Sequence, residues 1–213
     1  MEITAINKIL KILEIAGILT FAVSGMLYAK KRNMDDLIGI YAVALVCAFG
    51  GGTLRDLFLD RHPLFWISNH HYLIVILILS LATMFIKVDN IPKWINETIT
   101  ISDALGTGLF TIVGVEISLQ NNLALMTAAI LGVITGTCGG VLRDIIGNET
   151  PYLFQKTEFC ATCCFLGCII YMSLRAVEFP STINMIISTL SIAIFRYISV
   201  KKNLKWSHLI TPR

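Results

Sequence analysis

Two short stretches hold the residues best suited to chemistry. The first is Gly51-Gly52-Thr53-Leu54-Arg55-Asp56, and the second, 88 residues later, is Gly139-Gly140-Val141-Leu142-Arg143-Asp144. Each sets a guanidinium and a carboxylate behind glycines near the end of a long apolar run. Charges inside a membrane span are expensive, face the protein interior and mark ion or substrate pathways. A helical side chain covers the turn N-terminal to its own position. Each arginine therefore overlies glycines at i−3 and i−4, where missing side chains leave room for the guanidinium and for water. The alternative is an arginine that snorkels to the interface. Arg55 stands about 27 Å along its run at the helical rise, far enough to do so.

The glycines themselves allow two readings. Gly50, Gly51 and Gly52 on one run, and Gly136, Gly139 and Gly140 on the other, could be small residues for close helix packing. They could also break or kink the helices, which lipid tolerates only where the freed backbone lies inside protein or beside water. Asp56 and Asp144 are expected to face away from their arginine neighbours, because i and i+1 diverge on a helix. The expected partners are Glu14 for Arg55 and Asp103 for Arg143, with Glu116 as an alternative on the first side. Ser24, Thr53 and Thr107, with backbone carbonyls, are candidate oxygen ligands for a hydrated ion.

Other chemistries find less support. Cys160, Cys163, Cys164 and Cys168 form a stripe, but no second cysteine pair or nearby histidine completes a four-ligand metal site. Cysteine in such a segment acts as a small apolar residue, so these four, with Cys47 and Cys138, are read as packing. His62, His70, His71 and His208 fall in connections or the tail. No Ser-His-Asp, HExxH or Walker-type arrangement appears. The chain is not expected to be an enzyme, to carry a metal or cofactor, or to bind nucleic acid.

The elements that must position these residues are helices in lipid. Apolar residues make up 55% of the 213 residues and charged ones only 15%, against about 25% charged in soluble domains. The mean hydropathy is +0.75. Seven runs approach the roughly 20 residues that a bilayer core requires: Ile9–Ala29, Leu37–Leu59, His71–Ile86, Thr98–Leu119, Leu123–Gly147, Thr157–Leu174 and Thr182–Val200. Pro63, Pro92, Pro151 and Pro180 fall between runs. Trp66, Trp94 and Trp206 stand where interfacial indoles are usual.

The pattern repeats. Upstream of the 88-residue match, Glu14, Gly17, Phe21 and Gly25 recur at an offset of 89 as Asp103, Gly106, Phe110 and Gly114. Each repeat holds three spans, about 9–87 and 98–175, and three is odd. The second copy must cross in the opposite sense, which predicts inverted repeats about an axis in the membrane plane. A seventh span, about 182–200, has no counterpart. The expectation is one transmembrane domain over residues 1–213. The first span is not read as a leader, because it carries Glu14 and recurs internally. Seven spans put five of the 17 Lys and Arg residues on the N-terminal side and twelve on the C-terminal side. The positive-inside rule then sets the N-terminus outside and the C-terminus in the cytoplasm.

These motifs resemble the bacterial branch of the TRIC (trimeric intracellular cation channel) family. The stretches that carry the resemblance run from Phe21 to Met26, from Asp36 to Gly39, from Phe49 to Asp56 and from Gly136 to Asp144. The likeness covers about residues 10–200. It implies a homotrimer in the bacterial inner membrane, in contact with lipid, with one pathway per protomer for monovalent cations, chiefly K⁺, with Na⁺ also possible. By the resemblance, the second and fifth spans line the pathway and bend at Gly50, Gly51, Gly52, Gly139 and Gly140, with Arg55, Asp56, Arg143 and Asp144 beside it. The Lys-Glu-Val segment of animal members has no match; Gly114-Val115-Glu116 occupies its vicinity without the lysine. Some bacterial members are described as transporters of glycine or other small amino acids, so a carrier is the alternative.

Overall fold

Long apolar runs leave the backbone no partner but itself, so the chain is helical wherever lipid would surround it. The computed structural model describes residues 2–86, 93–155 and 159–202, with side chains from residue 6 onward. Its helices are α1 (Glu2–Lys31), α2 (Leu37–Phe58), α3 (Phe65–Ser68), α4 (His71–Met84), α5 (Lys93–Gln120), α6 (Leu125–Ile146), α7 (Cys160–Ala176) and α8 (Ser181–Lys201). A short 3-10 turn covers Tyr152–Phe154. Five helices, namely α1, α2, α5, α6 and α8, are long and apolar enough to cross a membrane. The two further apolar helices, α4 with 14 residues and α7 with 17, span only about 21 and 26 Å. Pro92, Thr157, Trp206, His208, Lys87, Lys156, Lys205 and Arg213 lie outside the described residues.

Five helix ends, those of α1, α2, α5, α6 and α7, share one stop signal that the apolar pattern hides. Asn33, Asp60, Asn122, Asn148 and Glu178 all have positive φ, and each sits two residues past a helix end. The amide of the next residue returns to the carbonyl five positions back: Met34 to Ala29, Arg61 to Asp56, Leu123 to Ser118, Glu149 to Asp144, Phe179 to Leu174. This is the Schellman closure, which satisfies carbonyls a helix would otherwise strand. Four of the five residues are Asn or Asp, the side chains that tolerate the left-handed region best after glycine. At the other end of α2, Asp36 Oδ2 caps the Gly39 amide at 3.1 Å.

Helix α5 is the centre of the molecule. Its apolar window is 72% buried, against 44% for each of the other four long helices, and it packs on α1, α6, α7 and α8. Contacts between α1 and α5 are reciprocal. Gly17 faces the Phe110 ring and Gly106 faces the Phe21 ring, and the two rings stack at 5.5 Å. The same reciprocity joins α2 to α6: Gly51 lies against the Thr135 carbonyl and Gly139 against the Cys47 carbonyl. In both cases the partners trade places under the offset read from the sequence. A Cβ at Gly51 or Gly139 would overlap those carbonyls, so only glycine allows the approach.

Of the two readings of the glycines, a break in the helix is not found. Both α2 and α6 run unbroken through their glycines, and among the described glycines none has positive φ. The glycines bring two intact helices into backbone contact, which recovers in packing what they lose in propensity. Trp66 also departs from a plain interfacial anchor. It stacks on Phe49 at 5.6 Å and donates its indole N–H to Thr53 Oγ1 at 3.1 Å.

Candidate functional site

Two buried ion clusters flank the α2–α6 contact. On the face that holds the α1 N-terminus, Arg55 Nη2 lies 3.0 Å from Glu14 Oε1. On the opposite face, Arg143 Nη1 lies 2.7 Å from Asp103 Oδ1 and donates to Ser24 Oγ at 2.8 Å. Both arginines are fully enclosed, at 0% and 1% exposure. Neither snorkels. A buried charge survives only when paired and hydrogen-bonded, and each carboxylate on α1 or α5 supplies that pairing from a separate helix.

The neighbouring aspartates correct an expectation. Arg55 Nε donates to Asp56 Oδ1 at 2.9 Å, and Arg143 Nε to Asp144 Oδ1 at 3.0 Å. Cβ directions at i and i+1 do diverge, but the arginine stem is long enough to fold back across that angle. The second oxygen of each aspartate has its own task. Asp56 Oδ2 accepts the Phe65 amide at 3.0 Å, and Asp144 Oδ2 accepts the Tyr152 amide at 3.1 Å. Each aspartate thus ties its arginine to the short helical turn that follows. The aromatic residue opening that turn lies under the guanidinium: Phe65 at 5.3 Å from Arg55 and Tyr152 at 5.9 Å from Arg143. Cation–π contact of this kind adds about 2 kcal/mol when desolvated. On the second side, Tyr28 adds another ring at 5.2 Å.

Glycine i−3 behaves differently on the two sides. A Cβ at Gly140 would sit 3.4 Å from Asp103 Oδ1 and 3.8 Å from Arg143 Nη2, so the ion pair does cover it. At Gly52 the space is taken by the Phe65 ring instead. Gly50 meets Leu142, and Gly136 meets Thr111 and the Thr107 carbonyl. Ser24 and Thr107 are buried. Ser24 accepts from Arg143, and the Thr107 carbonyl accepts from Thr111 Oγ1 at 2.7 Å.

Glu116 is not the alternative partner of Arg55. It accepts from the Tyr171 hydroxyl and pairs with Arg175 Nη1 at 3.0 Å, joining α5 to α7 on the first face. Asn184 of α8 donates to the Tyr171 carbonyl at 2.9 Å, so three helices meet there. The sequence carried a usable signal, because Glu116 and Arg175 are the charges near the ends of α5 and α7. Arg196 entered the sequence reading only as one of the twelve cations on the C-terminal side. It is buried at 2% exposure, 3.4 Å from Asp103 Oδ2. Its position within an apolar span was the signal.

Space is distributed unevenly. A cavity of about 610 Å³ opens beside the first cluster, lined in part by Glu14, Asp56, Asp60, Lys11, Arg61 and Tyr72. Beside the second cluster, the cavities hold about 10 and 30 Å³. His62 stands at the first mouth, 3.5 Å from Asp60, and His70 and His71 lie ring to ring at 4.2 Å. Cys164 and Cys168 pack in the core between α5, α6, α7 and α8, and Cys47 in the other core cluster.

Buried ion pairs held by apolar helices, with a cavity lined by charged residues beside one of them, define an integral membrane protein that holds ion pairs within its helical bundle. Comparison with known proteins narrows this class. The family model described as "Glycine transporter" matches the chain twice, over residues 11–87 and 100–176. A UPF0126 membrane protein of Vibrio cholerae is 34% identical, with 93% of this chain and 82% of that protein covered. The UPF0126 inner membrane protein YadS of Escherichia coli is 36% identical, with 75% of each chain covered. Among solved structures, the TRIC trimeric intracellular cation channel orthologue from Rhodobacter sphaeroides superposes with a TM-score of 0.83 at 31% identity, covering 92% of this chain and 98% of that one. A prokaryotic TRIC channel in 0.5 M KCl gives 0.82 at 26% identity, with the same coverage. The chain belongs to the bacterial TRIC family of membrane proteins.

Proposed function

We propose that the protein is a channel for monovalent cations, chiefly K⁺, with one pathway per protomer running between two inverted repeats. The observation that carries this reading is the pair of charge clusters at either end of the reciprocal α2–α6 contact, in a fold shared at a TM-score of 0.83 with a TRIC cation channel. Glu14 and Asp103 neutralise the arginines that would otherwise repel a cation, and Asp56 and Asp144 complete the balance. A pathway along α2 and α6 passes the glycines at 50–52 and 139–140, Thr53, Ser24 and Thr107. The bundle is then a single transmembrane domain: halves at about 9–87 and 98–175, plus the helix near 182–200. Three copies would associate through the lipid-facing surface, as the relative's trimeric description implies. The N-terminus lies outside and the C-terminus in the cytoplasm.

A carrier for glycine or another small amino acid is the second reading. The family model's description favours it, and so does the inequality of about 610 Å³ beside the first cluster against about 10 and 30 Å³ beside the second, a form alternating access would produce. Purified protein in liposomes distinguishes the two. Potassium flux that rises in proportion to ion concentration, without uptake of labelled glycine, is the expected result. Saturable glycine uptake with little ion leak would replace the channel by the carrier.

A further inference from the structure

The two charge clusters are related by the repeat, yet they differ in their second arginine. On the first side it is Arg61, from the loop after α2. Arg61 is 42% exposed and lies 3.5 Å from Asp56, at the rim of the large cavity. On the second side it is Arg196, whose side chain is only 3% exposed and which takes the free oxygen of Asp103. Asp103 therefore holds two arginines, Arg143 on Oδ1 and Arg196 on Oδ2. Among the described residues Glu14 pairs with Arg55 alone.

Arg196 belongs to α8, the helix without a repeat counterpart. The sequence makes a seat for it in one half only. Gly108 stands where the first repeat has Leu19, at the 89-residue offset. A Cβ at Gly108 would lie 2.6 Å from the Thr189 carbonyl, so α8 reaches α5 through that glycine. The same approach sets Arg196 over the Tyr152 ring at 5.9 Å, and Arg143 lies over that ring at the same distance. One carboxylate and one ring thus clamp two guanidinium groups. The cavities around them, about 10 and 30 Å³, hold at most one water and about two waters respectively, since a water needs about 10–15 Å³ on this measure. A hydrated cation does not pass.

We propose that Arg196 is a one-sided latch: it holds the mouth at the α8 C-terminal face shut, and withdrawal of α8 opens that mouth by freeing Asp103 Oδ2. This rests on the channel reading. The latch is a positioning residue rather than part of the ion path, so it sets how often the path is open and not how well ions move through it.

Single-channel recording in planar bilayers separates those effects. Wild type, Arg196→Ala and Arg196→Lys are compared, each first checked for monodisperse elution and a melting transition. The expected result for Arg196→Ala is an open probability raised roughly tenfold, the change that about 1.4 kcal/mol of lost closed-state stabilisation produces, with unitary conductance unchanged. Arg196→Lys, which keeps the charge but not the planar fork, should rise less. If the alanine variant fails to fold, the lysine variant carries the test, with a severalfold rise expected. A folded variant with wild-type open probability overturns the latch while leaving the channel intact. A changed unitary conductance at unchanged open probability also overturns it, and makes Arg196 a pathway residue. Absence of unitary currents from wild-type protein overturns the channel reading itself.

Discussion

At the scale of single residues, the clusters differ in how much water can repair them. Removing one partner of a buried pair leaves an uncompensated charge, typically at about 3–5 kcal/mol. Arg143→Ala strands Asp144 and half of Asp103 in a region with almost no cavity. Arg55→Ala leaves Glu14 beside the 610 Å³ cavity, where water reaches it. Arg143→Ala is therefore expected to lower the melting temperature in detergent more than Arg55→Ala; equal losses would contradict this account. The Glu14 and Asp103 partners were legible, because the repeat exchanges them and buried arginines need carboxylates. The Arg55–Asp56 and Arg143–Asp144 contacts were not. The i, i+1 rule describes where side chains start, not how far a long one reaches. The amide contacts to Phe65 and Tyr152 were hidden for a different reason: they depend on loop turns that no periodicity marks.

At the scale of elements, glycine at one position is packing and at another is merely slack. Gly51 sits against a carbonyl of α6, so Gly51→Ala must push two helices apart, at about 1–3 kcal/mol for an overpacked contact. A Cβ at Gly39 would meet only Asp36 Oδ2, at 3.9 Å. Gly39→Ala should stabilise by about 0.5–1 kcal/mol, the helix preference of alanine over glycine. Thermal melts of the two variants, moving in opposite directions, are the check; a Gly51→Ala protein as stable as wild type would remove the close-contact argument. The long helices were legible from hydropathy alone, within a few residues at most ends. The unbroken passage of α2 through three consecutive glycines, and of α6 through Gly136, Gly139 and Gly140, was not, since propensity speaks against it and only the partner helix restores it. Helix α3 and the turn at Tyr152–Phe154 were missed because each is too short to show a period.

At the scale of the whole molecule, the proposed orientation rests on the distribution of Lys and Arg. If the C-terminus is cytoplasmic, as proposed, a green fluorescent protein fused there should fluoresce and alkaline phosphatase fused there should stay inactive; the reverse pattern would invert the assignment. The reciprocal contacts bear on something else. Gly51 with the Thr135 carbonyl and Gly139 with the Cys47 carbonyl is the signature of an isologous seam, in which a patch meets its own copy. Such a seam is what two separate, identical half-length subunits would form if they entered the bilayer in opposite senses. On the proposed inverted-repeat architecture, joining them in one chain would fix that antiparallel pairing once for every chain made. It would also free the halves to diverge: Gly108 stands opposite Leu19, and α8 reaches α5 at that glycine.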